Sequence, residues 1–150
     1  MVTKEQKKMV TDSWELVRQS GNLDEIGRAM FLRLFQENPE LLPLFPFASE
    51  DTSEALKSSD RVAKHGKNVM KYVDFAVNNL DNLDDVKRRI TSLATRHVDY
   101  RAKPQHLDPV GEALLWTIEN AVGDSWTPKV QEAWGVVVSF IASTFIAAMK

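Results

Sequence analysis

Hydrophobic residues recur along nearly every long segment of this chain with the 3.6-residue period of an amphipathic α-helix. Proline, glycine and short polar stretches separate these segments, and we find no convincing pair of strand-like runs between them. The pattern predicts an all-α fold with six or seven substantial helices. Their uneven lengths and proline-marked corners differ from the more equal helices of a regular four-helix bundle.

Local end signals indicate where the helices begin and end. Thr3 with Gln6 is typical of a capping box, and it predicts a first helix that ends near Gly21. Asn38-Pro39 interrupts the chain after the second helix, and Thr127-Pro128 begins the last one. The later helices are predicted over residues 22–36, 59–80, 83–98, 104–122 and 128–149, with a polar loop over 48–59. The aromatic residues predicted to lie in the core are Trp14, Trp116, Trp126, Trp134, Phe35, Phe140 and Phe145.

Composition excludes several classes of function. With 150 residues the chain is expected to form one domain over 1–150, and a net charge of −2 makes nucleic acid an improbable partner. The absence of cysteine excludes disulfides, iron–sulfur clusters, cysteine nucleophiles and thioether-linked haem. We also expect no membrane partner, because we see no apolar run of spanning length. The charged N-terminus lacks a signal-peptide pattern, so a cytoplasmic location is expected.

Two of the three histidines occupy positions where the helical pattern calls for an apolar residue. His65 follows the period of Val62, Val69 and Val73, and His97 follows that of Ile90, Leu93 and Ala94. A single inward histidine is often a core residue that hydrogen-bonds a backbone carbonyl. Two inward histidines on different helices could instead bind a metal between them. The third, His106, is predicted to lie on the surface.

Four local motifs resemble those of the globin family, and their order and spacing agree over nearly the whole chain. They are NPELLPLFPF, VAKHGKNVM, LATRHVDYRAKP and WTPKVQEAWGVV. The resemblance is greatest to neuroglobin-like single-domain globins, and it implies a globin fold of six to eight helices around a haem pocket. It also implies haem b held without covalent attachment, because the chain has no cysteine.

The resemblance implies a role for each matching residue. His97 would be the proximal ligand to the haem iron, and His65 would be the distal histidine and a candidate sixth ligand. Phe45 would pack against the porphyrin, Val69 would crowd the ligand side of the iron, and Phe31 would face the bound ligand. The remaining implied contacts are the Leu93 carbonyl with the free nitrogen of His97, glycine at position 66 close to the porphyrin, and the haem propionates with Arg96, Arg101, Lys103, Lys64 and Lys67.

A globin of this kind is expected to bind O₂, CO and NO reversibly, for oxygen storage, transport or supply. The alternative is redox chemistry, either nitric oxide dioxygenation or nitrite reduction, with a separate reductase as partner. The chain has no room for a fused reductase, which favours a ligand-binding protein over a dedicated enzyme. Phe31 beside His65 further suggests six-coordinate iron when no external ligand is bound. A haem-free helical domain is the remaining alternative, and the inward His97 argues against it.

Overall fold

A computed structural model describes residues 2–44, 60–98 and 107–149, and it describes side chains over 2–42, 60–95 and 107–148. These residues form six α-helices and two short 3₁₀ helices, and none of them lies in a β-strand. The α-helices are α1 (Lys4–Ser20), α2 (Leu23–Glu37), α3 (Asp60–Asn78), α4 (Leu83–Val98), α5 (Leu107–Val122) and α6 (Pro128–Met149). The 3₁₀ helices are Pro39–Leu44 and Gly123–Ser125. The all-α fold predicted from the sequence is confirmed.

Helix ends follow the local signals. The Thr3 hydroxyl accepts the Gln6 backbone N–H at 3.0 Å, and the Gln6 side chain accepts the Thr3 N–H at 3.1 Å, which completes the capping box. The Asn22 side chain caps α2, and the Thr127 hydroxyl accepts the Val130 N–H at 3.2 Å at the start of α6. Position 123, after α5, has a φ of 69°, which glycine adopts without strain.

The larger hydrophobic cluster joins α1, α2, α3, α5 and α6. At its centre the rings of Trp14 and Trp134 are tilted, with centroids 5.9 Å apart, and both side chains are buried. Each indole N–H has a partner, because Trp14 donates to Asp74 Oδ1 at 2.7 Å and Trp134 donates to Ser13 Oγ at 2.8 Å. These two bonds join α1 to α3 and to α6 without leaving a buried donor unpaired.

A second, smaller cluster holds α4. Its buried members are Ala76 of α3, Phe145 of α6 and three residues of α4, namely Val86, Ile90 and Ala94. Helix α4 packs mainly on α6 and makes few contacts with α3. The helix is therefore positioned by a separate hydrophobic contact and is not part of the main core.

One aromatic prediction is wrong. Trp116 is 36% exposed, whereas Leu114, Thr117 and Ile118 fill the buried face of α5. The indole ring lies instead beneath the guanidinium of Arg33, which is 4.7 Å from the ring centroid. A cation–π contact at the surface thus takes the place of burial in the core.

Helix α6 is more apolar than the sequence patterning indicated. Its Pro128–Ala148 stretch is, by length and composition, long and apolar enough to cross a membrane, contrary to the expectation that no such run exists. In the folded chain, Ala133, Trp134 and Val137 are buried in the larger cluster and Phe145 in the smaller one. The helix packs on α1, α4 and α5, so its apolar residues serve both clusters.

Helices α2 and α3 cross at two glycines. A β-carbon on Gly27 would lie 2.5 Å from the Cα of Gly66, and one on Gly66 would lie 2.7 Å from the Cα of Gly27. Any side chain at either position would therefore overlap the backbone of the other helix. The crossing brings the two backbones into direct contact, and α2 and α3 form the most extensive helix pair.

Candidate functional site

Helices α3 and α4 follow one another through a short turn, and each carries one of the inward histidine positions. His65 lies 13 residues before the end of α3 at Asn78, and His97 lies 14 residues after the start of α4 at Leu83. At 1.5 Å per residue, both positions are about 20 Å along their helices from the turn. The two histidine positions therefore lie at similar distances along their helices from the connecting turn.

The His65 imidazole is half-buried and lies against an aromatic ring of α2. The ring centroids of His65 and Phe31 are 5.2 Å apart, with an angle of 53° between the planes. Phe31 is itself only 2% exposed and stacks on Phe35, with centroids 6.0 Å apart. Because the Phe31 ring is buried and packed on Phe35, it restricts the positions that the His65 imidazole can adopt.

The glycine crossing lies next to this ring contact. Gly66 immediately follows His65, and Gly27 precedes Phe31 by one helical turn on the same face of α2. The prediction that Gly66 permits close approach to a porphyrin is wrong, because the space beyond its Cα is filled by Gly27 of α2. Sequence reasoning also overlooked Gly27, although an isolated glycine inside a helical pattern is a known sign of close packing.

An aliphatic side chain lies one helical turn from each histidine position. Val69 lies one turn after His65, is partly buried and packs on the larger cluster. Leu93 lies one turn before His97, is partly buried and packs on the smaller cluster. Each histidine position is therefore neighboured by an aliphatic residue on its own helix, at the spacing that puts both on one face.

Several predicted site residues lie outside the described residues or apart from the site. Phe45, Arg101 and Lys103 lie outside the described residues, and so does the side chain of Arg96. His97 is described as part of α4, but its side chain is not. Lys64 is exposed, and the Lys67 ammonium lies 3.7 Å from the Asp24 carboxylate. The propionate contacts stay predictions.

The chain matches a family model and a group of named relatives. The Globin family model matches residues 28–145. The chain belongs to the globin family. It is 31% identical over 144 residues to neuroglobin from Danio rerio, covering 95% of this chain and 89% of that protein. It is also 31% identical to the neuroglobins of Tetraodon nigroviridis, covering 92% and 91% of the two chains, and of Dissostichus mawsoni, covering 99% and 91%.

The globin is thus neuroglobin-like, and as a member of this family it is a haem protein that binds O₂ or related diatomic ligands. The residues present fit that cofactor. Imidazole nitrogen suits iron, and the aliphatic side chains of Val69 and Leu93 beside the two histidines suit a largely apolar porphyrin.

Proposed function

We propose that this globin binds haem b between α3 and α4 without covalent attachment, with His97 as the proximal ligand and His65 as the distal residue. The observation that carries the proposal is that the two histidine positions lie at similar distances from the turn that joins their helices, with Phe31 packed against His65. The bound haem supplies the iron at which diatomic ligands bind. Phe45, Arg101 and Lys103 would complete the contacts with its ring and propionates.

Each neighbouring residue has a separate task in this proposal. The Leu93 backbone carbonyl, one turn before His97, would accept a hydrogen bond from the ring nitrogen that does not bind iron and would orient the imidazole. His65 donates an N–H to the diatomic ligand, and Phe31 limits the movement of its ring. Val69 keeps the ligand side apolar, which excludes water and slows oxidation of ferrous iron.

We further propose that His65 binds the iron directly when no external ligand is present. The support is its half-buried side chain and the Phe31 ring that restricts it. An external ligand must then displace His65, and its apparent affinity falls by the fraction of protein with open iron.

Absorption spectra of three variants test these assignments. His97→Ala is expected to lose the haem Soret band on gel filtration, while His65→Leu keeps the haem. The deoxygenated ferrous spectrum should change from sharp α and β bands in the wild type to one broad band in His65→Leu. His106→Ala removes the remaining histidine and serves as the control, with a wild-type spectrum. Full haem retention in His97→Ala would overturn the proximal assignment.

The physiological role that we propose is reversible O₂ binding in the cytoplasm, for storage, transport or supply. The competing role is nitric oxide dioxygenation or nitrite reduction with a separate reductase. Consumption of nitric oxide over many turnovers, with a cellular reductase present, separates the two. A rate no higher than that of autoxidation supports the binding role, whereas sustained turnover supports the redox role.

A further inference from the structure

A shallow, open groove lies at the surface of α3 and α4, near the turn that joins them. It has a volume of about 500 Å³. The groove is lined by Tyr72, Phe75, Asp85, Arg88, Arg89 and Ser92. None of these six residues has a part in the haem site proposed above.

Arg89 of α4 reaches across to the aromatic residues of α3. Its guanidinium carbon is 4.5 Å from the ring centroid of Phe75 and 5.8 Å from that of Tyr72. The Arg89 side chain is nevertheless exposed, so one face of the guanidinium lies on the rings while the group stays accessible from the groove. These contacts hold a flat cationic plane in a defined orientation, which a planar ligand can stack on.

Arg88 supplies a second guanidinium at the same groove. It forms an ion pair with Asp85 one turn earlier, and the Arg88 side chain is still 77% exposed. The charged side chains that line the groove are two arginines and one aspartate, which leaves it with excess positive charge. The Ser92 hydroxyl lies on the same helix one turn after Arg88 and Arg89 and adds a neutral donor.

We propose that this groove binds a nucleoside phosphate, with the base stacked on Arg89 and the phosphate bound by Arg88 and Ser92. Guanidinium groups bind phosphate through paired N–H donors, which requires a planar fork. A planar base stacks on guanidinium and aromatic faces alike. The juxtaposition of a stacked arginine, an exposed second arginine and a hydroxyl matches both parts of such a ligand.

Isothermal titration of the haem-loaded globin with adenosine monophosphate, adenosine or inorganic phosphate tests the proposal. Adenosine monophosphate is expected to bind at least about tenfold more tightly than either fragment, because only the whole ligand uses both contacts. Equal affinity for inorganic phosphate would refute the stacking contact, and equal affinity for adenosine would refute the phosphate contact. If adenosine monophosphate binds the haem-free protein but not the haem-loaded protein, the groove belongs to the haem cavity and the proposal is overturned.

Charge variants on α4 distinguish a specific binding site from nonspecific electrostatic attraction of the phosphate to the helix. Arg88→Gln is expected to weaken adenosine monophosphate binding about tenfold or more, and Arg89→Lys should weaken it because the charge stays but the stacking plane is lost. Lys87→Gln is the matched control, since it removes one exposed charge from the same helix outside the groove. Circular dichroism checks that each variant is folded. Equal losses in Arg88→Gln and Lys87→Gln would refute the site.

Discussion

Replacing Gly27 with alanine tests whether the α2–α3 crossing is required for stability. The added methyl group would lie 2.5 Å from Gly66 Cα, whereas ordinary contacts are at 3.4–4 Å. The obstructing atoms belong to the backbone and cannot rotate away, so we take the upper end of the overpacking cost, about 3 kcal/mol. Alanine gains about 1 kcal/mol over glycine in helix propensity. The free energy of unfolding should therefore fall by about 2 kcal/mol.

A matched control is available in α6. Gly135 is also inside a helix, but a β-carbon there would meet nothing within 4 Å. Gly135→Ala is expected to raise the free energy of unfolding by about 0.5–1 kcal/mol, because only the propensity gain applies. The two substitutions are chemically identical, so the opposite signs of their effects isolate the crossing.

Urea denaturation of the haem-loaded proteins, followed by tryptophan fluorescence, measures both variants. For a chain of this size the Gly27→Ala loss corresponds to a melting temperature lower by about 4–8 °C. The visible spectrum should also change in Gly27→Ala and not in Gly135→Ala, because separation of the helices alters the Phe31–His65 contact. Equal or greater stability of Gly27→Ala would refute the reasoning.

Two further predictions concern the core and a helix end. Trp14→Phe should lower the free energy of unfolding by about 2–3 kcal/mol, because it loses packing and the 2.7 Å hydrogen bond to Asp74. Asp74→Asn keeps an acceptor oxygen and should cost much less. Comparable losses of stability in the two variants, measured by thermal denaturation, would contradict this. Thr3→Ala should cost about 1 kcal/mol because it removes half of the capping box, while Thr11→Ala, exposed in the middle of α1, should be neutral or slightly stabilising by urea denaturation.

The parts of the fold that the sequence predicts are those set by local chemistry. The Thr3 capping box, the break at Asn38-Pro39 and the bounds of α4 depend on neighbouring residues, and the structure has each of them. The Gly27–Gly66 crossing joins residues far apart in the sequence, so an isolated glycine inside a helix indicates close packing but does not identify the partner. The exposed position of Trp116 has a similar cause, since its partner Arg33 is on another helix.

Periodicity predicts the two histidine positions, but it does not predict which neighbouring helices hold α3 and α4 in place. Helix α3 is fixed at Gly66, beside His65, by the backbone of α2. Helix α4, which carries His97, packs mainly on α6 through a different hydrophobic cluster and makes few contacts with α3. Packed helices shift as units. The distance between the two histidines therefore depends on how α4 packs on α6, whereas the position of the His65 side chain depends on how α3 packs on α2. Changes at Phe31 or Gly27 should therefore affect the setting of His65 and leave that of His97 unchanged.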